Sequence, residues 1–380
     1  MREKKLHMLF IPLLAACMFL AAIFGYTYSV KAEDESSAPK IEGLEFQSEM
    51  ENQFAECFHI YYYNDDYTLI DVPGSGQFLL VPEGKTAPEG LDENIVVLQK
   101  PLDKIYLAAT SSMALFSALD ALDHIKFSSL QESGWYVDTA KQAMENGDIV
   151  FAGKYSEPDY ELLVNSECNL AIESTMILHT PKVQDMIEQM GIPVFTDRSS
   201  YETHPLGRTE WIKVYAEAQK FFDEQAKIIT QLKDFKNTEK TVAFFYMSSD
   251  GSVVVRKPDD YVPKMIEIAG GRYVPTKVSS DEELKRSSIP MTMEEFYTQA
   301  IDADYLVYNG TIDDPINSVD ELLQKSELFA DFKAVKEGNV WCAGKYLYQA
   351  TDIVGNMITD LHLMLTGGDE SQMTFMTKID

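Results

Sequence analysis

Cysteine is scarce in this 380-residue chain: only Cys17, Cys57, Cys168 and Cys342, widely scattered. That spacing excludes a disulfide framework and a paired-cysteine zinc motif, and leaves small buried hydrophobes as the default role. Positive charge is also scarce. Thirty-two Lys and Arg face 61 Asp and Glu, a formal net charge of −29. Phosphate binding needs a basic stripe, so this balance argues against nucleic acid as a partner. It describes instead a self-repelling surface that keeps a chain soluble and monomeric. Enzyme signatures are missing as well. There is no Gly-rich phosphate loop, no dinucleotide glycine pattern and no Gly-x-Ser-x-Gly elbow. The six histidines include no His-x-x-x-His pair. The expectation is a protein that is not an enzyme, with no cofactor and no metal of its own.

Hydrophobic residues make up 45% and aromatics 11%, enough for real cores and against long disorder. The first 32 residues read as an export signal. Arg2, Lys4 and Lys5 precede an apolar run over residues 8–30. Leu14-Ala15-Ala16-Cys17 has the form of a lipoprotein box, with Cys17 as the lipidation site. Val30-Lys31-Ala32 fits conventional cleavage before Glu33. Uncut, the run is long enough to anchor the chain in a bilayer. All three outcomes put the rest of the chain outside the cytoplasm, touching the membrane only through this N-terminal segment. Residues 33–53 open polar and acidic and read as a tether.

Beyond the tether, strands are expected at 58–63, 67–72 and 77–81, then at 104–109, 149–151, 170–173 and 193–196. Helices are expected at 113–122, capped by Ser111 or Ser112, at 159–165, and at 182–190 ending on Gly191. Strands spaced by helices in this way make a parallel α/β sheet. Residues 207–235 break the rhythm with one helical run that has no proline and no interior glycine. At 1.5 Å per residue it would span roughly 40 Å. After it the alternation restarts, with strands at 241–247, 305–308 and 340–343 and helices at 261–269, 293–300, 319–323 and 353–365. The fold class is therefore α/β: two Rossmann-like lobes with mostly parallel sheets, residues 54–206 and 237–380, joined by one long rigid helix, residues 207–236.

Ligands of α/β sheets sit outside the carboxyl ends of strands. Ser174, Thr175, Met176 and His179 follow one strand, and Arg198 and Tyr201 follow the next, with His204 and Arg208 close behind. Two arginines, a tyrosine and a histidine suit a carboxylate, a phenolate or a chelated metal. The alternative is that Asp197, Arg198 and Arg208 pin the lobe to the long helix. Polar-tipped aromatics at other strand ends (Trp135, Tyr136, Tyr155, Tyr246, Tyr346 and Tyr348) suit a cleft for a bulky, partly apolar ligand, or ordinary half-buried packing.

Several segments together carry a family resemblance. These are Asp159-Tyr160-Glu161-Leu162-Leu163 with Cys168-Asn169-Leu170-Ala171-Ile172, then Gly191-Ile192-Pro193-Val194-Phe195, and Thr292-Met293-Glu294-Glu295-Phe296 with Asp304-Tyr305-Leu306-Val307. Their order, with the long helix between, resembles the periplasmic-binding-protein family that serves iron-siderophore, haem and cobalamin ABC importers. Cys168-Asn169 stands where that family usually has Pro-Asp. The resemblance implies capture of a small-molecule chelate between the lobes and delivery to a permease dimer with its ATPase. It implies docking of that permease through one glutamate per lobe, by position Glu161 and Glu294, with Glu295 as a substitute. A ferric siderophore is the first ligand choice, because arginine and tyrosine suit anionic chelates. Cobalamin follows, then haem, for which Tyr201 or His204 would be the axial ligand. A bare metal ion is a rival that needs more convergent ligands than His179 and His204. An exported enzyme or adhesion module on the same scaffold is the reading of a different class.

Overall fold

The computed structural model describes residues 38–215, 237–278 and 287–380. The chain divides into two compact units, Met1–Lys40 and Ile41–Asp380. Only residues 38–40 of the first unit are described, so the signal segment and Cys17 lie outside the described residues.

The second unit opens with a five-stranded sheet, β1 Phe46–Glu49, β2 His59–Tyr63, β3 Thr68–Val72, β4 Gly76–Val81 and β5 Ile95–Gln99, paired in that order. Ile60, Ile70, Val72 and Phe78 join the main core, while Tyr61, Leu69 and Leu79, which point to the other face, are buried as well. The polar segment expected as a tether thus supplies an edge strand from Phe46 onward.

The first lobe holds β6 Ile105–Leu107, β7 Ile125–Ser128 and β8 Val150–Phe151, the short hairpin β9 Gly153–Lys154 and β10 Glu157–Pro158, then β11 Leu170–Ser174 and β12 Val194–Asp197. Its sheet runs β12-β11-β6-β7-β8 and is wholly parallel. The second lobe holds β13 Thr241–Met247, β14 Val253–Arg256, β15 Arg272–Val274, β16 Ser288–Met291, β17 Tyr305–Asn309, β18 Val340–Ala343 and β19 Met376–Lys378. Its core is parallel, β15 and β17 on β13 and β18 on β17, but both edges are antiparallel. Among the expected elements, β13, β18 and the Met293–Ala300 helix fall on the expected bounds. The short strands β5, β7, β14, β15, β16 and β19 had no expectation. Each is three to five residues long, too short to show a period.

Two local expectations are corrected. Neither Ser111 nor Ser112 caps its helix: Ala109 holds the cap position, and both serines lie inside Thr110–Ala118. The long helix starts at Pro205 rather than Gly207, because proline suits a first helical position. Pro205–Glu210 and Ile212–Tyr215 are helical, and the rest of the expected run lies outside the described residues.

The start of that helix is fastened to the segment between β1 and β2. Glu210, fully buried, accepts hydrogen bonds from the backbone N–H groups of Gln53, Phe54 and Ala55, all at 2.8 Å. Glu202, also buried, accepts from the N–H groups of Glu56 and Cys57 and from the Trp211 indole. Lys213 donates to Glu210 at 2.7 Å and to the Glu51 carbonyl at 3.0 Å. Gly207 lets the chains meet this closely: a Cβ there would lie 3.0 Å from the Phe54 carbonyl oxygen. Phe58 and Phe195 pack edge-on against Trp211 above the carboxylates. Glu210→Ala would orphan three N–H groups and remove the buried carboxylate to which Lys213 donates. The expected loss is about 3–5 kcal/mol of unfolding free energy by chemical denaturation. A loss under about 1 kcal/mol, typical of an exposed ion pair, would contradict this account.

Candidate functional site

A cleft of about 680 Å³ opens between the lobes. That is within the range of small-molecule sites. The first lobe lines it from the carboxyl ends of three parallel strands. Thr110 and Ser111 follow β6; Ser174, Thr175, Met176 and His179 follow β11; Ser200 and Tyr201 follow β12. The second lobe answers with Tyr246, Tyr348 and the β13–β14 turn, where Ser248, Asp250 and Ser252 face the cleft. Asp250 accepts hydrogen bonds from both serine hydroxyls and the Ser252 N–H. These bonds hold its carboxyl down at about 2. The floor holds Arg208 from the Pro205–Glu210 helix, and Arg256 and Tyr261 from the second lobe.

The two floor arginines differ. Arg256 donates to both Asp260 oxygens at 2.8 Å and to Ser288 at 3.0 Å, a bidentate pair that cancels its charge. Arg208 is 4% exposed, and its guanidinium lies 4.0 Å from the centroid of the Tyr261 ring. Among the described residues no carboxylate pairs with it, and its Nε has no acceptor. The Tyr261 hydroxyl, also buried, has no partner either. Burial pushes that phenol up to about 12, with the two arginines pulling the other way, so it stays a neutral donor.

Not every expected site residue reaches the cleft. Ser112 is buried and donates to Asp197 at 2.6 Å. Asp197 lines the cleft but is spent on Ser112, Tyr215 and the Ser199 N–H. Trp135 is fully buried, with its indole N–H on Ser128 at 3.0 Å, because a large ring beside an apolar sheet enters the core. Tyr136 gives its backbone N–H to Gln349 of the other lobe, and Tyr155 packs on the apolar cluster behind the sheet. Arg198 lies over the Tyr201 ring and donates to the Gly74 carbonyl, outside the cleft lining. The His204 ring stacks on Phe54 at 4.3 Å and accepts the Leu206 N–H, so it caps a helix and lines a separate groove. The side chain of Tyr346 lies outside the described residues. Sequence reasoning missed Arg256, Tyr261 and the serine turn. The turn carried a signal, Ser-Ser-Asp-Gly-Ser between two apolar runs, but Tyr261 reads as an ordinary first helical residue.

No family model matches the chain. Two uncharacterized lipoproteins of Methanocaldococcus jannaschii are similar in sequence. One is 25% identical over 345 residues, covering 84% of each chain. The other is 23% identical over 353 residues, covering 82% of this chain and 81% of the relative. A periplasmic haem-binding protein of Pseudomonas aeruginosa matches in structure with a TM-score of 0.54 at 14% identity, over 73% of this chain and 98% of that one. The periplasmic vitamin B12 binding protein of Vibrio cholerae matches at 0.50 and 13%, over 70% and 97%. The chain has the fold of the two-lobed periplasmic binding proteins.

In this binding-protein fold the lobes meet through direct bonds around the cleft. Gln349 accepts from the Tyr136 N–H and donates to the Gly134 carbonyl, and the Thr209 hydroxyl donates to the Thr351 carbonyl. Glu161 and Glu294 each sit exposed in a first helical turn, Glu161 in Tyr160–Asn165 and Glu294 in Met293–Ala300. Glu295 is occupied: its carboxylate closes a capping box with Thr292, a fixed role that a docking residue does not need. Among the described residues, no three His, Cys, Asp or Glu side chains group to hold a metal ion.

Behind the Ser174 rim lies an unused acid. Glu173 is fully buried, and neither of its oxygens has a partner. Burial raises its carboxyl from 4.5 to about 8. A folded-state value above the unfolded one gives stability that is complete below about 4.5 and is lost as pH rises through about 8. Glu173→Gln removes this dependence. Its stability advantage over the parent, read from denaturation curves, is expected to grow by roughly 1.4 kcal/mol per pH unit across that window. A pH-independent difference would show that Glu173 does not titrate there.

Proposed function

We propose that this chain is the exported solute-binding component of an ABC importer, capturing a ferric siderophore-like chelate between its lobes and handing it to a permease dimer with its ATPase. One observation carries the reading: a cleft in a binding-protein fold, lined from both lobes by hydroxyls and phenol rings. Tyr201, Tyr246 and Tyr348 offer apolar faces with polar tips, and serines supply donors between them. That set grips a large, partly apolar chelate with oxygen acceptors, whereas a bare divalent ion needs convergent carboxylates and imidazoles. The haem and vitamin B12 binders of the same fold support a bulky ligand. Capture without chemistry is all the site needs. The cross-lobe bonds of Gln349 and Thr209 favour small closure, so X-ray scattering is expected to change little on binding.

Haem is the second reading, favoured by Tyr201 in the cleft lining, since a phenolate is a known type of axial ligand. A melting-temperature screen against ferric siderophores, cobalamin and haemin separates these ligands, because a specific one stabilises by mass action. Stabilisation by none of them would overturn the reading. Permease docking rests on Glu161 and Glu294, whose carboxylates suit bidentate pairing with arginine. Replacing both with alanine is expected to abolish uptake with ligand affinity unchanged; intact uptake would reject the assignment.

Export is supported by the N-terminal segment and by relatives that are named lipoproteins. Lipid attachment at Cys17 is tested by labelling cells with a radioactive fatty acid. The parent is expected to carry label and Cys17→Ser none; an unlabelled parent would favour cleavage after Ala32 or an uncut anchor.

A further inference from the structure

We infer that the cleft floor is an oxyanion subsite in which Arg208 of the Pro205–Glu210 helix and Tyr261 of the second lobe, in contact with each other, jointly take a carboxylate or phosphate group of the ligand. This deepens the binding reading and rests on it. Three features converge. Arg208 is 4% exposed, yet among the described residues no anion neutralises it. Its Nε–H is buried without an acceptor. The Tyr261 hydroxyl is buried without a partner on the ring that the guanidinium covers at 4.0 Å. A buried charge with no counter-ion is strongly unfavourable unless something supplies the missing partner. Nearby Arg256 illustrates the usual solution, since Asp260 takes both of its inner N–H groups. At Arg208 the open cleft stands where such a carboxylate would be.

At the floor itself the charges fit an incoming anion; the ionised Asp250 belongs to the β13–β14 turn that lines the same cleft, where Ser248 and Ser252 occupy it. Asp197 is the near acid, but Ser112, Tyr215 and the Ser199 N–H occupy its oxygens. Asp260 is held by Arg256. Arg208 therefore carries the positive charge that remains at the floor. Tyr261 adds a neutral donor of low entropy cost, fixed as the first residue of its helix by the cap of Asp260. An anion held by both would reinforce the contact that Arg208 already makes with the Tyr261 ring across the two elements.

The test compares the exported chain with Arg208→Gln, Arg208→Lys and Tyr261→Phe at matched ionic strength. Melting curves are titrated with citrate and, separately, with inorganic phosphate. The parent is expected to be stabilised by one of them over chloride. Arg208→Gln should weaken that anion by roughly 10- to 100-fold, the range for hydrogen bonds to charged groups. Arg208→Lys should lose less, and Tyr261→Phe should lose part. Citrate acting alone identifies a carboxylate, and phosphate acting alone a phosphate ester. A guanidinium that merely props the Tyr261 ring predicts a different result: Arg208→Gln would melt lower in chloride and keep the parent's anion response. That result overturns the subsite, as does a parent that responds to neither anion. A chelate that binds parent and Arg208→Gln equally would sink the subsite and leave the transport reading standing. Anion binding through Arg208 with no chelate bound would do the reverse.

Discussion

Five consecutive backbone N–H groups, residues 53–57, point at two buried carboxylates, and the placement of the Pro205–Glu210 helix begins there. Glu210 takes three of these groups and Glu202 two. Both acids belong to the segment that leads from β12 into the Pro205–Glu210 helix. N–H bonds to a carboxylate favour its charged form, and burial opposes it. Burial does oppose it at Glu202, whose carboxyl is raised, with the Glu56 and Cys57 amides and the Trp211 indole pulling it back. The helix start is therefore gripped from outside by a strand connection and from inside by Trp211. Arg208 lies between those two anchors, so its guanidinium is delivered to the cleft floor from a rigid base.

That fastening lets one short helix segment meet the core and the other lobe together. Glu210, Trp211 and Lys213 face the core and the 51–57 segment. Arg208 and Thr209 face the other lobe, Arg208 through Tyr261 and Thr209 through the Thr351 carbonyl. Successive residues on a helix point about 100° apart, so a six-residue helix reaches both partners without bending. The polar groups satisfied here are the structural ones. The groups left open, the Arg208 Nε and the Tyr261 hydroxyl, gather at the cleft. Unsatisfied polar groups inside an otherwise satisfied interior are where a ligand has most to offer.

Several site residues were legible before any coordinates. Ser174, Thr175, Met176 and His179 follow a strand that reads clearly as Leu-Ala-Ile-Glu, and a parallel α/β sheet presents such residues at one edge. Tyr201 and Arg208 were found by the same logic. Trp135 and His204 misled, because a side chain's direction off a loop depends on what packs beneath it. Ser128 offers the Trp135 indole an acceptor inside the core, and Phe54 offers the His204 ring a stacking face. Neither partner lines the cleft, and neither is signalled by local pattern.

The signal-like N-terminal pattern, the α/β class and the restart of the alternation after the helical run belong to the sequence alone, because charge, apolar periodicity and glycine punctuation are local properties. Which polar residues end up paired is not local. Arg256 and Arg208 each have an acidic residue within four positions, Asp260 and Glu210, so the sequence does not say which arginine is paired. The turn from β14 into the Tyr261–Ile268 helix brings Asp260, four residues on, back onto Arg256, while the fold buries Arg208 against the Tyr261 ring at the cleft floor with no carboxylate beside it among the described residues. Electrostatic contacts are set by distances of a few ångströms, and those between segments far apart in the chain, such as Arg208 over the Tyr261 ring, exist only once both lobes have folded against each other.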